Sequence, residues 1–202
     1  MPGPGAEARS LCRDHVTGPW MFFAVVFDRL HTERLELLPI SPDLAPEMFE
    51  GLQHPQLYKY IGGSPPPSRD WLFDRYARLA AGRSPDGSEL WLNWLLRRKD
   101  SSRLIGFVQA TVQHRRALVA YLLFPEASGF GYAGEAVTAM IGALERDAGV
   151  TELVATVHTK NRRSIRVLER LNFVQTALKK DAEIIAGVST DEFEYVRTTG
   201  SQ

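Results

Sequence analysis

Three apolar stretches in the middle of the chain have the period-two pattern of β-strands. They read ELWLNWLL (89–96), RLIGFVQATVQ (103–113) and ALVAYLLF (117–124), and short polar turns, RRKDSS and HRR, separate them. Alternation joined by tight turns predicts an antiparallel meander. An earlier stretch, TERLELLPI (32–40), alternates in the same way and predicts the first strand of the domain.

The hydrophobic period changes to that of a helix after residue 131. The apolar positions spaced at i, i+3, i+4, i+7, i+8 and i+11 are Ala133, Ala136, Val137, Met140, Ile141 and Leu144. This spacing predicts a helix of about four turns with one buried face. A second helix is predicted to begin after Asn161, whose side chain can cap it, and short strands are predicted at 152–157, 173–184 and 192–198.

Two helices are predicted between the first strand and the meander. Ser41-Pro42-Asp43 precedes a short helix that runs through Leu52, and Ser68 caps a second one with apolar residues at helical spacing. The predicted order is therefore strand, two helices, three strands, helix, strand, helix and two strands. This order is typical of a mixed α+β domain.

The first 29 residues are predicted to be an extension, and residues 30–202 the folded domain. Residues 1–20 are rich in glycine, proline and charge, so flexibility is expected at least to residue 20. The apolar run Met21–Phe27 resembles a signal peptide slightly, but it is short, charged residues follow it, and no small-x-small cleavage site follows. A first strand, or a segment packed on the domain, fits this run better.

Composition narrows the class of protein. The 202 residues, 44% of them hydrophobic and 24% charged, suit one globular domain. Lys plus Arg and Asp plus Glu both number 24, and this balance argues against nucleic-acid binding through bulk positive charge. Cys12 is the only cysteine, so an intramolecular disulfide and a cysteine metal cluster are excluded, and a reducing cytoplasm is expected. No apolar run approaches the length of a membrane span, and no metal, nucleic-acid or membrane partner is expected.

The segment SGFGYAGEA, between an apolar strand and an amphipathic helix, carries the clearest chemistry. Gly129 and Gly131 allow a tight turn and a close approach to the backbone. The N–H groups of residues 129–133 are the unpaired donors at the helix start, and with the helix dipole they form an anion site suited to a pyrophosphate. The alternative is that the two glycines only make a tight turn.

The same residues also match G-x-G-x-x-G, which invites a dinucleotide-binding interpretation. Three observations oppose it. Four residues, 125–128, separate the strand from the first glycine, where the fingerprint expects the turn at once. The next strand ends in His158-Thr159-Lys160, without a carboxylate for a ribose, and the preceding strands form a meander.

From Thr32 to about Thr199 the chain resembles the GNAT superfamily of acyl-CoA-dependent N-acyltransferases, and most of all its ribosomal-protein alanine acetyltransferase branch. TERLELLPI resembles that branch's opening strand, and LIGFVQATV its central strand. PEASGFGYAGEAV matches its P-E-x-x-G-x-G-Y-A-x-E-A loop, and NRRSIRVLERLNF matches its N-x-x-S helix, about thirty residues further on. The sequence departs from the family pattern at Ser128 and Phe130, where basic or polar residues are usual, and at Asn172, where the family has glycine.

The resemblance implies a GNAT fold. Such a fold has a central, mostly antiparallel twisted sheet of six to seven strands flanked by about four helices, splayed between the fourth and fifth strands, here 117–124 and 152–157. It also implies acetyl-CoA as co-substrate. The residues that the resemblance assigns to its binding are Leu122, Leu123, Phe124, Gly129, Phe130, Gly131, Tyr132, Ala133, Asn161 and Ser164.

The resemblance further implies that an amine attacks the thioester carbonyl while the departing thiolate receives a proton. Many relatives use a tyrosine as donor, at the position of Leu168 here; in the branch that this chain resembles a serine acts, and Ser164 matches it. Its alternative role is a hydrogen bond to a carbonyl one turn earlier. Tyr121 is the second candidate catalytic residue. No carboxylate stands out as the general base, and a chain of water molecules is an alternative. Gln109 and Glu89 are expected only to line the cleft, and His158 is expected to be a hydrogen-bonded structural group.

The sequence thus predicts an N-acetyltransferase for a primary amine, either a peptide N-terminus or a small molecule, acting in a ternary complex. A CoA-binding protein without turnover and a nucleotide-dependent oxidoreductase are the alternatives. Arg162, Arg163, Arg166 and Arg170 either form a solvated face or meet the ribose phosphate of CoA. From its relatives, the protein is expected to be a monomer or homodimer.

Overall fold

The period-two segments form a single eight-stranded sheet in the computed structural model, which describes residues 28–199. The strands are β1 Leu30–His31, β2 Leu35–Pro39, β3 Leu90–Arg98, β4 Leu104–Gln113, β5 Arg116–Leu123, β6 Glu152–His158, β7 Val174–Ile185 and β8 Val188–Thr198. Their order across the sheet is β1-β2-β3-β4-β5-β6-β8-β7, and every neighbouring pair is antiparallel except β5 and β6.

Four α-helices form where the spacing predicts them. They are α1 Ala45–Leu52, α2 Arg69–Ala80, α3 Tyr132–Asp147 and α4 Arg162–Arg170. The predicted caps are present, because Ser68 Oγ accepts the Trp71 N–H at 3.1 Å and Asn161 Oδ1 accepts the Ser164 N–H at 3.2 Å. Asn172 ends α4 with a φ of 61°, the left-handed conformation that glycine adopts in the family pattern.

The helices cover both faces of the sheet. Successive residues of a strand point to opposite faces, and in β3 Trp94 packs in one buried cluster and Leu95 in another. The Trp94 cluster contains the apolar face of α3 and the inner residues of α4, and the Leu95 cluster contains those of α1 and α2. Burial of these two apolar layers is the main force that holds the fold.

The parallel pair β5 and β6 is splayed, as predicted. Residues 116–118 pair with 152–154, after which the two strands separate, although β5 continues to Leu123 and β6 to His158. The facing edges beyond residues 118 and 154 therefore have backbone groups that no neighbouring strand pairs. The sheet has one strand more than expected, since the two-residue β1 is too short to show any period.

Residue 28 already packs on the folded domain, because the Trp94 indole N–H donates to the Asp28 carbonyl at 3.1 Å. The predictions for residues 1–27, including the apolar run Met21–Phe27, lie outside the described residues. Within residues 28–199, no helix is long and apolar enough to cross a membrane.

Candidate active site

Two cavities meet where β5 and β6 separate. The larger lies between the loop before α3, the start of α4 and residues 56–61, and it has a volume of about 1040 Å³. We call it the cofactor cleft, after the CoA that the sequence predicts. The smaller, the acceptor cavity, has a volume of about 460 Å³ and lies among β5, β6 and the β7–β8 hairpin. The residues that line both cavities are Tyr60, Ile61, Tyr121, Asn161 and Ser164.

The loop of residues 128–133, which we call the glycine loop, forms one end of the cofactor cleft. Gly129 and Gly131 have φ angles of 94° and 85°, a left-handed conformation that suits glycine and turns the chain into α3. Among the described residues, the N–H groups of 129–134 meet no acceptor, and the first helical bond runs from Glu135 N–H to the Gly131 carbonyl. Consecutive free donors at a helix start suit a phosphate.

Two residues of the glycine loop direct their side chains elsewhere. Phe130 is 62% exposed and contacts the Tyr132 ring at a centroid distance of 6.1 Å, whereas Tyr132 is buried in the core. Neither lines the cleft, in contrast to Gly129, Gly131 and Ala133. Phe130 and Tyr132 therefore offer only their backbone to a ligand there.

Arg34, in the turn before β2, anchors the glycine loop and the first turn of α3. Its guanidinium donates to Glu135 Oε2 at 2.7 Å and to the Phe130 carbonyl at 2.9 Å, and lies 4.6 Å from the centre of the Tyr132 ring. Glu135 Oε1 also accepts the Thr32 hydroxyl at 2.6 Å and the Arg34 N–H at 2.8 Å. Burial raises the pKa of Glu135, but these hydrogen bonds and the Arg34 charge outweigh it and hold the pKa below its usual value.

The long wall of the cofactor cleft is basic. Its cationic lining residues are Lys59, Lys160, Arg162, Arg163, Arg166 and Arg170, and it has no Asp or Glu. Among the described residues none of these six forms a salt bridge. The arginines of α4 are thus one side of a cleft as well as a solvated face, and their uncompensated charge suits a polyanion.

Ser164 and Tyr121 meet at the junction of the two cavities. Their hydroxyl oxygens are 2.7 Å apart, and Tyr121 Oη also donates to the Ser164 carbonyl at 3.1 Å. The Asn161 cap fixes Ser164 in the first turn of α4, where the dipole favours negative charge. Burial raises the pKa of Tyr121 to about 12, partly offset by its hydrogen bond with Ser164.

Residues 122–124, which are predicted to bind acetyl-CoA, separate into two groups. Leu122 and Leu123 line the cofactor cleft on the open edge of β5. Phe124 does not line it, because its side chain is buried against α1 and its N–H donates to the Ile105 carbonyl at 2.8 Å. Its carbonyl accepts the Ala127 N–H at 3.0 Å, so Phe124 shapes the turn and stays out of the cleft.

The other residues expected near the cleft also differ in whether they line a cavity. Gln109 and Glu89 line neither cavity, and Glu89 accepts the Trp91 indole N–H at 2.9 Å. His158 lines the acceptor cavity, and its Nδ1 accepts the Lys160 N–H at 3.0 Å. The neutral ring therefore carries its proton on Nε2, so that this nitrogen is a donor.

Two carboxylates of the acceptor cavity were not predicted from the sequence. Glu183 and Glu192 lie on the β7–β8 hairpin and line this cavity together with His158. The hairpin register, in which Glu192 pairs with Lys179 and with His158, places them there. Nothing in the local pattern gives that register, because β7 pairs irregularly between Lys179 and Glu183.

Comparison with known proteins gives the class to which this fold and site belong. The acetyltransferase (GNAT) domain family matches residues 34–174, which is most of the chain. The protein therefore belongs to the GNAT family of acetyltransferases, as its motifs indicated. The dinucleotide-fold interpretation fails, since only β5 and β6 run parallel in the sheet.

Individual relatives agree with this assignment. YoaA, an uncharacterised N-acetyltransferase of Bacillus subtilis (strain 168), is 26% identical over 151 residues, covering 73% of this chain and 84% of its own. RimL, a ribosomal L7/L12 α-N-protein acetyltransferase solved with coenzyme A, superposes with a TM-score of 0.76 at 17% identity, over 85% of this chain and 98% of its own. The ribosomal-protein-S5-alanine acetyltransferase of Vibrio fischeri gives 0.75 at 18% identity, over 86% and 98%. At these identities the two solved structures establish the fold.

Proposed function

We propose that the protein transfers the acetyl group of acetyl-CoA to a primary amine by direct attack in a ternary complex. The observation that carries this proposal is the junction of the two cavities. There a basic cleft with free backbone donors meets a second cavity at the hydroxyl pair of Ser164 and Tyr121.

The cofactor cleft fits acetyl-CoA by its donors and its charge. The free N–H groups of the glycine loop suit the pyrophosphate, and the arginines of α4 suit the phosphates that follow it. The unpaired edge of β5 at Leu122 and Leu123 offers main-chain groups to the amides of the pantetheine arm, as an added strand would use them. Bound there, acetyl-CoA supplies an activated acyl group and a thiol leaving group.

Ser164 is proposed to donate a hydrogen bond to the sulfur as negative charge develops on it. Tyr121 orients that hydroxyl by donating to Ser164 Oγ across the 2.7 Å contact, which leaves the serine proton for the sulfur, and the positive end of α4 favours the thiolate. With a pKa of about 12, the Tyr121 phenol is a weaker acid than a thiol. The hydroxyl pair therefore acts by hydrogen bonding, and the thiolate takes its final proton from solvent.

The residues that line both cavities hold the two reactants together. Tyr60 and Ile61 come from the loop after α1, and Tyr121, Asn161 and Ser164 come from β5 and the start of α4. Positioning alone contributes up to about 7–11 kcal/mol in favourable cases. The reacting amine must lose one proton before it attacks and a second as the amide forms, and solvent in the open cavity receives both.

Isothermal titration with acetyl-CoA tests the cofactor site. Gly131→Trp places a ring in the glycine loop at a left-handed position and should abolish measurable binding. Gly87→Trp is the matched control, since Gly87 is also left-handed, has open space around it and lines neither cavity. Wild-type protein that fails to bind, or Gly131→Trp that binds as well as Gly87→Trp, would refute the cofactor assignment.

Turnover is tested by the release of free thiol from acetyl-CoA across a panel of amines. Release that depends on the amine supports the transferase. Acetyl-CoA binding without release would favour the alternative of a CoA-binding protein without turnover. The cytoplasmic location and the monomeric or homodimeric state remain predictions.

A further inference from the structure

The two cavities of the site have opposite charge. Six cationic residues and no carboxylate line the cofactor cleft, whereas two carboxylates, Glu183 and Glu192, and no Lys or Arg line the acceptor cavity. The whole chain is neutral, with 24 basic and 24 acidic residues, so this separation is local to the site. A cleft lined by charges of one sign concentrates ligands of the opposite charge.

The acidic pair has no salt-bridge partner. Among the described residues neither Glu183 nor Glu192 forms a salt bridge, and Lys179, the basic residue paired with Glu192 across the hairpin, binds Glu194 at 2.7 Å. Glu183 lies against the backbone of Gly62, where a side chain would occupy the position of its carboxylate. Burial, and then the Glu183 charge, raise the pKa of Glu192, and the Lys179 charge, a Thr156 hydrogen bond and the His158 charge oppose this rise only in part.

A third group in the same cavity is ready for a ligand. His158 is only 7% exposed and lines the cavity, and its Nδ1 is occupied by the Lys160 N–H. Its Nε2–H has no acceptor among the described residues. The Tyr60 ring packs edge-on at 5.2 Å and holds the imidazole in place. The cavity therefore combines two carboxylates that form no salt bridge with one unused donor.

We propose that the acceptor is an amine carrying a second positive charge, which Glu183 and Glu192 bind while the first amine reacts. This inference rests on the proposed function and names its substrate class. The reacting amine attacks in its neutral form, so a monoamine would leave both carboxylates without a cation at that moment. A second ammonium or guanidinium stays charged and balances them.

Matched pairs of acceptors test this charge requirement. Lysine amide against norleucine amide represents a peptide-like terminus, and 1,5-diaminopentane against 1-aminopentane represents a free small amine. In at least one pair, kcat/KM for the dication should exceed that for the monocation by about tenfold or more. The pair that shows the larger preference identifies which source of this chemistry the cavity accepts.

A substitution assigns the preference to the cavity. Glu192→Gln keeps the shape and removes the charge, so it should reduce the preference to about threefold or less, with an unchanged acetyl-CoA Kd. Glu50→Gln is the matched control, because Glu50 is an exposed carboxylate of α1 that lines neither cavity, and it should retain the preference.

The outcomes separate the two proposals. Protein that binds acetyl-CoA but treats both members of each pair alike, or reacts with none of the four, overturns the charge inference and leaves the cofactor site standing. A preference that Glu192→Gln leaves intact also overturns it. Protein that does not bind acetyl-CoA overturns the proposed function first.

Discussion

Arg34 and Glu135 join the start of β2 to the first turn of α3, 101 residues further along the chain. Arg34 Nε and its terminal Nη2 both lie 2.7 Å from Glu135 Oε2, and the same guanidinium binds the Phe130 carbonyl. These contacts fix the glycine loop to the start of β2. Arg34 itself lines neither cavity, so its proposed effect on a ligand in the cleft acts through the loop.

Removing this ion pair should weaken cofactor binding more than stability. Arg34→Gln loses the charged contacts that hold the loop, so the acetyl-CoA Kd should rise about five- to tenfold by titration calorimetry. The pair is partly exposed, so the loss in unfolding free energy should stay near 1 kcal/mol or less.

The matched control for this variant is Arg116→Gln. Arg116 forms a similar 2.7 Å pair with Glu152 at the other end of β5, away from both cavities. It should leave the Kd unchanged. An equal effect of the two substitutions, or none of Arg34→Gln, would contradict the proposed positioning role.

The hydroxyl pair should affect catalysis more than cofactor binding. Ser164→Ala removes the proposed donor to the sulfur and should lower kcat about ten- to hundredfold, while the acetyl-CoA Kd changes less than about threefold. Tyr121→Phe removes only the hydroxyl that orients Ser164, so it should lower kcat less, by about three- to tenfold. Thiol release under saturating acetyl-CoA measures both variants.

The pH dependence of kcat gives a second readout for Tyr121. Because its pKa is about 12, the phenol stays neutral throughout the neutral range, and Tyr121→Phe should scale the profile without altering its shape. Ser101→Ala, in the exposed turn between β3 and β4, is the control for a surface serine. An unchanged kcat in Ser164→Ala would return this residue to a structural role.

The basic wall should make cofactor binding depend on salt. Reversing one charge in Arg166→Glu should raise the acetyl-CoA Kd about tenfold or more at low ionic strength, and less as salt screens the cleft. Arg103→Glu carries the same change on an exposed residue that lines neither cavity, and it should bind normally. Equal binding by both variants at low salt would mean that α4 is only a solvated face.

Glu135 should make the fold sensitive to acid. Its folded-state pKa is below the ordinary value, so the stabilisation is complete above that value and disappears as pH falls through the folded-state pKa. Wild-type protein should therefore lose more unfolding free energy than Glu135→Gln between about pH 6 and about pH 3, measured by urea denaturation. Thr32→Val removes one of the donors and should lie between them, and parallel losses in all three would refute the assignment.

The sequence predicted the elements and the cofactor end of the site because those features are local. The glycine loop, the Asn161 cap and Ser164 lie within two short motifs, and the seven longer strands follow from period-two patterns. The roles assigned to these residues remain predictions that the variants above test.

The acceptor end could not be predicted in this way. Glu183 and Glu192 reach their cavity only through the irregular register of β7 on β8 and the pairing of β8 with β6. Phe124 is the last residue of the predicted strand 117–124, yet the observed strand ends at Leu123 and the Phe124 ring packs beneath α1. Both depend on contacts between segments distant in sequence, which periodicity does not encode.

The splay of β5 and β6 also has a kinetic meaning. Under the proposed function the two reactants reach a shared junction from separate cavities, so neither has to leave before the other can enter. Steady-state patterns should show intersecting lines, with no acetylated form of the enzyme accumulating, and the spent thiol and the amide should depart by independent routes.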